Sequence, residues 1–521
     1  MKHLHAIRRN LVSILLCIAV QSASLTVATP HAADGSNHLS LHASATQGSR
    51  AIRQSPVSNI QSSTSLTYTL YLPAIAYARP PLPSAGVEAS GSGTSYSGQI
   101  SRMNQAGAAW TRVTAVWWPD VESTEGVIDW TPLSTIDSQL IAISAQGMRP
   151  VLVVRGTPSW AQLYAGYSCG PIAQDKFTAF GDFMAALVTR YSQPPYNVKY
   201  WEMGNEPDVD HTLVATDSTY GCWGDSSDYY YGGGYYAQML KAVYPRIKAV
   251  DPSAQVLVGG LLLDCDPRWT TAGCQFVRHS SAPSRFLEGI LLGGAGPYFD
   301  GVAYHAYDYY TGVLGAYYNP NFESGSNTTG PSSAAKAGFL LSVLSTYNVS
   351  GKYLLNTESG MLAAKRDGDP AYEMTKAYYV AHLYSQAEAI GLRAIMWYSV
   401  FGWPDESDAL LNTDLSARPA YTAFNAITAL LGGTTYAGPV TSADVGGSAQ
   451  VLGYKFMGGA GSPDGHTWIV WSANATTCTL TLTTPPQKVW DVFGNPITLV
   501  NSTTVPLFPS GQLLVYLNWT Q

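Results

Sequence analysis

Two short stretches carry glutamates where a carboxylate could do chemistry. Asn205 and Glu206 close one apolar run in the stretch Trp201, Glu202, Met203, Gly204, Asn205, Glu206, Pro207, Asp208. Glu358 closes another, in Leu355, Asn356, Thr357, Glu358, Ser359, Gly360. Two facing carboxyl groups about 5–5.5 Å apart suit the cleavage of a glycosidic bond with retention: one, protonated, supplies the leaving oxygen, and the other, ionised, attacks the anomeric carbon. A close pair also separates the two protonation states, because each environment pushes its carboxyl in its own direction. Taken alone, Glu206 reads equally well as a helix-start charge and Glu358 as a buried partner for Arg112. The chemistry therefore depends on elements that bring both to one point.

Short apolar runs at 86–89, 111–116, 150–155, 198–204, 255–260, 301–305, 353–358 and 394–399 alternate with helical stretches such as 132–146, 176–191, 235–250 and 372–390. Continuously apolar strands are buried on both faces and suit a parallel sheet. Eight strand-then-helix units over roughly 350 residues predict an α/β fold, a (β/α)8 TIM barrel spanning 84–433. An open doubly wound sheet would need a glycine-rich phosphate turn after its first strand, and Gly91 and Gly93 lack the third glycine. In a barrel the functional face is the C-terminal ends of the strands. That places Glu206, after strand 4, and Glu358, on strand 7, across its mouth. Beyond 433 the rhythm changes to short runs separated by Gly, Pro and Asn, which predicts a C-terminal antiparallel β-domain, sandwich-like, over 434–521.

The order and wording of these motifs resemble glycoside hydrolase clan A, the retaining (β/α)8 glycosidases, and most of all the β-xylosidase-like family 39 and its relatives. Asn205-Glu206-Pro207 after strand 4 and Thr357-Glu358-Ser359-Gly360 at strand 7 carry the resemblance. The stretches from Trp110 to Trp130 and from Gly147 to Trp160 add to it. It implies Glu206 as acid/base, Glu358 as nucleophile, and Asn205 as the partner of the sugar 2-hydroxyl. Arg112 would keep Glu358 ionised, and His305 and Tyr307 match the clan's His-x-Tyr, with Tyr307 or a neighbour bonding the nucleophile. Trp397 would floor the sugar site, and no metal or organic cofactor is implied. Gly204 and Ser359 depart from the residues usual beside the two carboxylates in family 39.

Composition agrees with a carbohydrate partner and against others. The net charge is −7, charged residues are 12 %, and there are 14 Trp and 34 Tyr, with no basic runs to attract nucleic acid or anionic lipid. Trp117, Trp118, Trp160, Trp223 and Trp403, with the tyrosines at 229–231 and 309–310, fall in loops at the functional face. Their flat rings suit sugar C–H surfaces, and Trp117 and Trp160 are expected to bind substrate. Residues 1–33 read as a secretory signal peptide and 34–83 as a Ser/Pro-rich linker with one strand at 65–77. The chain is thus expected to be secreted or extracytoplasmic, free of the membrane after cleavage. Export favours disulfides, with Cys265 paired to Cys274 and Cys169 to Cys222, leaving Cys478 free. Gly166-Tyr167-Ser168-Cys169-Gly170 imitates a serine-hydrolase elbow but lacks the strand before it and the helix after it. A barrel that binds polysaccharide without turnover, and a transglycosidase with the same carboxylates, stay open as alternatives. Oligomeric state is unreadable in these patterns.

Overall fold

The computed structural model describes residues 82–263, 283–307, 310–311, 316–317, 332–361, 368–402, 408–448, 451–459, 465–472, 478–499, 501–507 and 514–519. The signal peptide, nearly all of the linker with its strand at 65–77, the Cys265–Cys274 pairing, Trp403 and Tyr309 lie outside the described residues. Eight parallel strands close into a barrel: β1 (Ala85–Val87), β2 (Trp110–Trp117), β3 (Arg149–Arg155), β4 (Tyr200–Asn205), β5 (Gln255–Leu261), β6 (Gly301–Tyr307), β7 (Tyr353–Gly360) and β8 (Ala394–Trp397). Closure runs through Gly86, paired with Trp110 of β2, and through β1 against β8. A helix follows each strand: α1 (Gly93–Gln105), α2 (Ser134–Ala145), α3 (Phe177–Tyr191), α4 (Gly233–Val250), α5 (Phe286–Leu292), α6 (Ser332–Thr346), α7 (Pro370–Ile390) and α8 (Pro419–Leu431).

Strand periodicity divides the core in two. Trp110, Val151, Leu257, Leu355, Ala394 and Met396 fill the barrel interior. Their alternate neighbours, such as Val113, Trp201, Val256, Ile395 and Trp397, pack outward against the helices. This is the reason the strands read as unbroken apolar runs. α7 shows how local sequence sets an element: Asp369 caps it by accepting from Ala371 N–H, Pro370 opens it, and Gly391, at φ 79°, stops it.

After α8 an antiparallel sheet forms from β9 (Thr434–Pro439), β10 (Val451–Gly458), β11 (His466–Ser472), β13 (Lys488–Trp490) and β15 (Leu514–Trp519), in the order β9-β10-β11-β15-β13. A separate ribbon pairs β12 (Cys478–Thr481) with β14 (Thr504–Leu507). Val451, Val470, Val515 and Leu517 of the sheet share a core with Leu480, Val505 and Leu507 of the ribbon, so the unit is a sandwich of unequal layers. It meets the barrel at α7, where His382 packs on Trp471 with ring centroids 4.3 Å apart. Among the described residues no helix is long and apolar enough to cross a membrane.

Candidate active site

Two charged residues interrupt the apolar interior, one turn of pleat above its packed floor. Arg112, on β2 two residues past Trp110, is fully buried, as is Glu202 on β4. Arg112 Nη2 donates to Glu202 Oε1 at 2.8 Å and its Nε to Oε2 at 3.1 Å, a bidentate pair. Gly260 N–H donates to the same Glu202 Oε1 at 3.0 Å. The rest of the guanidinium turns upward: Nη2 also donates to Asn205 Oδ1 at 2.7 Å, and Nη1 to Glu358. Glu202 thus fixes the arginine from below, and the arginine aims Asn205 and Glu358 from beneath the mouth.

Backbone irregularities then bring neighbouring side chains to one face. In β7 the register against β6 jumps from Tyr304–Asn356 to His305–Glu358, which leaves Thr357 as an extra residue. This bulge lets Thr357 and Glu358 both point inward: Thr357 Oγ1 lies 3.5 Å from Glu202 while Glu358 reaches Arg112. At the end of β4, Gly204 adopts φ 92° and Glu206 φ 50°, both in the left-handed region. Glycine enters that region without penalty; the two twists set Asn205 and Glu206 side by side in the site instead of on opposite faces.

His305 of β6 joins the two glutamates. Its Nδ1 lies 2.8 Å from Glu206 Oε1 and 3.6 Å from Glu358 Oε2. Burial pushes the imidazole down to about 4, so the ring is neutral at pH 7. Both acceptors face Nδ1, and Nε2 is enclosed against Gly260 without a partner, so the single proton sits on Nδ1. Tyr307 donates to Glu358 Oε2 at 2.5 Å. Burial alone would push the Glu358 carboxyl up; His305, Arg112 and the Tyr307 hydroxyl outweigh it and hold the carboxyl below its ordinary range. At pH 7 the neutral His305 adds no charge, and Arg112 and Tyr307 are the groups that bond the Glu358 carboxylate. Burial, and then Glu358, keep the Tyr307 phenol protonated and therefore a donor.

Glu206, His305 and Glu358 bring ligand atoms within 4.8 Å of one another, the one such group among the described residues whose spacing would admit a metal ion. Arg112, Tyr307 and His305 already occupy the carboxylate lone pairs on that side, and a cation there would face the guanidinium.

The structure therefore brings together Glu206, Glu358, Arg112, Asn205, His305 and Tyr307. It does not bring Trp397 to the mouth. That residue is fully buried on the outer side of β8, edge-on to Tyr379 of α7, with Nε1 donating to Asp408 O at 2.7 Å. The next residue, Tyr398, takes the inward place, half-buried beside Tyr307 at 6.2 Å between centroids. Trp117 ends β2 at the mouth, half-buried, with the Arg155 guanidinium 5.7 Å from its ring. Trp160 donates to Glu122 O at 3.0 Å and packs on Trp118, contacts that tie down the loop after β2. Trp118 and Trp223 are buried in loop packing. Ser168 lies in a loop, with its hydroxyl donating to Thr216 O at 3.2 Å, far in character from a nucleophile elbow. Cys169 and Cys222 form the expected disulfide, and Cys478 is a buried thiol.

Glu202, Glu88 and Tyr398 escaped the sequence reading. For Glu202 a signal existed: a charge inside an otherwise apolar buried strand must have a partner, and Arg112 in β2 is the same kind of exception.

A closed (β/α)8 barrel with paired carboxyls at its C-terminal mouth is the class of protein that fold and site define. No protein-family model matches the sequence, and comparison with curated proteins finds no match. Solved structures share the fold. A family 39 glycoside hydrolase from Bacteroides cellulosilyticus WH2 superposes with TM-score 0.62 at 17 % identity, covering 85 % of this chain and 81 % of that one. A monomeric β-xylosidase from Caulobacter crescentus CB15 gives 0.53 at 16 %, and a GH30 endoxylanase from Clostridium papyrosolvens C71 gives 0.53 at 12 %; each covers 85 % of this chain and 97 % of its own.

Proposed function

We propose that this chain is an exported retaining β-glycosidase acting on an oligosaccharide or polysaccharide, with 1–33 as its leader, 34–83 as a linker and 84–433 as the catalytic barrel. The observation that carries the reading is that an oxygen of Glu206 and an oxygen of Glu358 come within 4.8 Å of each other, with Glu358 bonded from below by Arg112. Two carboxyls that approach so closely suit a retaining pair, spaced roughly 5–5.5 Å apart, better than the wider gap an inverting enzyme leaves for its water. The solved relatives in fold support a carbohydrate partner, and the Cys169–Cys222 disulfide supports an oxidising compartment.

Each side chain then has a task. A Glu358 oxygen attacks the anomeric carbon while the proton on Glu206 passes to the departing glycosidic oxygen, which leaves a glycosyl ester on Glu358. Glu206, now a carboxylate, takes a proton from water, and the resulting hydroxide displaces Glu358. His305 occupies Glu206 Oε1, so Oε2 is the oxygen that faces the reacting bond. Asn205 Nδ2, 3.3 Å from Glu206 Oε2 and locked by Arg112, stands ready for the sugar 2-hydroxyl. No metal or organic cofactor enters the scheme.

A 2-fluoro glycosyl fluoride should label Glu358 in the intact protein, read as one sugar-mass adduct on the peptide that contains it. Glu358→Ala and Glu206→Ala should each lower turnover by orders of magnitude with the fold intact by circular dichroism. Near-normal activity of both variants on every cleaved aryl β-glycoside would refute the assignment.

A further inference from the structure

One buried carboxyl at the mouth has no part in the scheme above. Glu88 follows β1 directly and is clamped at its backbone: its N–H donates to Trp397 O at 2.8 Å, and its carbonyl accepts from Val400 N–H at 2.9 Å. The side chain reaches toward Arg112 but stops with Oε2 at 3.7 Å from Nη1, beyond hydrogen-bond range. Oε2 is enclosed and has no donor. Four of the guanidinium's five N–H groups go to Glu202, Asn205 and Glu358, and the second N–H of Nη1 is too far from Oε2 to bond it.

Six groups face Glu88 from the elements packed around it. Arg112 on β2, Arg155 on β3, Glu202 on β4 and Glu358 on β7 do so from the barrel; Tyr96 of α1 and Tyr398 after β8 do so from its sides. Both tyrosines are pushed up and stay neutral. Glu202 is satisfied by a bidentate arginine, a backbone N–H and Thr357, and Glu358 by Arg112 and Tyr307. Of the three carboxyls around Arg112, Glu88 is the one left without a donor, which makes it the one for which a negative charge is dearest. The electrostatics agree: burial pushes its carboxyl well above the ordinary range, Arg112 pulls down less strongly, and Glu358 and Glu202 add to the rise.

We propose that Glu88 stands in the site as a neutral carboxylic acid whose Oε1–H donates to a substrate hydroxyl. The proposal rests on the glycosidase reading for its substrate. With Oε2 enclosed, the residual exposure of the side chain leaves Oε1 toward the cleft. A protonated carboxyl is both donor and acceptor; once ionised it only accepts. Substrate binding therefore weakens as Glu88 loses its proton. Ketosteroid isomerase provides the general precedent for an acid kept neutral to donate.

The test compares wild type, Glu88→Ala and Glu88→Gln on one aryl β-glycoside that wild type cleaves, with kcat/KM measured across pH. Glu88→Ala should lose about tenfold in kcat/KM at neutral pH, the effect of one donor to a hydroxyl. Glu88→Gln, which keeps a neutral donor, should recover most of that loss. Difference infrared spectra at pH 7 should show a protonated-carboxyl stretch in wild type that Glu88→Gln removes. A glutamine variant as poor as alanine or a missing infrared band would each overturn the proposal. If the band is present but wild type cleaves no glycoside, the neutral acid stands and the glycosidase reading falls.

Discussion

Replacing Tyr307 by phenylalanine isolates the control of Glu358. The hydroxyl sits 2.5 Å from Glu358 Oε2 and, with the Arg112 guanidinium, is one of the groups that lower the carboxyl's affinity for a proton. A hydrogen bond to a charged acceptor contributes about 1.5–3 kcal/mol. One pKa unit corresponds to about 1.4 kcal/mol, so its loss should raise the Glu358 carboxyl by roughly one to two units. The sign follows directly: a nucleophile must be ionised, so the acid limb of kcat/KM should move to higher pH by that amount. At pH 7 the ionised fraction changes little, and the drop in kcat comes from lost alignment. The assay is kcat/KM from pH 4 to 9 on an aryl β-glycoside, with thermal unfolding as the control for folding. An acid limb that stays in place, with turnover altered less than twofold, would refute the view that Tyr307 tunes the nucleophile.

Two further outcomes can be stated from the geometry. A Cβ on Gly260 would run into His305 Nε2, so Gly260→Ala should displace the ring that holds Glu206 and cost on the order of 10²-fold in kcat; steady-state kinetics with circular dichroism as a folding check decides this, and a normal kcat would show that the ring position is immaterial. His382, buried against Trp471, is pushed down to about 4 from 6.5, so the unfolded chain binds this proton more readily. Stability from this residue is complete above pH 6.5 and is lost as pH falls toward 4, by about 3 kcal/mol in all. Urea midpoints at pH 7 and 4.5 should differ less in His382→Phe than in wild type, and an equal difference would count against the burial argument.

The barrel was legible because strands buried on both faces leave uninterrupted apolar runs, and all eight runs coincide with barrel strands. Glu206 and Glu358 were legible because strand ends at the C-terminal face are where a barrel places chemistry. What stayed hidden was direction. Trp397 and Tyr398 are adjacent, and only the phase of β8 decides which ring looks inward; Met396 takes the interior below, so Trp397 turns out and Tyr398 turns in. The bulge at Thr357 is invisible for the same reason: a one-residue change of register leaves no mark on composition. Glu88 was hidden because a glutamate after a three-residue strand looks like a surface charge until its neighbours close over it. In the C-terminal unit, short strands such as Thr434–Pro439 and Lys488–Trp490 escaped notice because they are brief and carry exposed residues that break the apolar run.

The disulfide between Cys169 and Cys222 joins the loop after β3 to the loop after β4. Thr216 O accepts from Cys169 N–H at 3.3 Å, while Thr219 O accepts from Arg155 Nη1 at 3.0 Å and from Asn205 Nδ2 at 3.3 Å. Covalent and polar ties thus make one jaw of two loops, and the jaw ends on the residue that would read the sugar. On the glycosidase reading, a jaw tied in this way selects its sugar by fit, and material folded under reducing conditions should lose discrimination before it loses its fold.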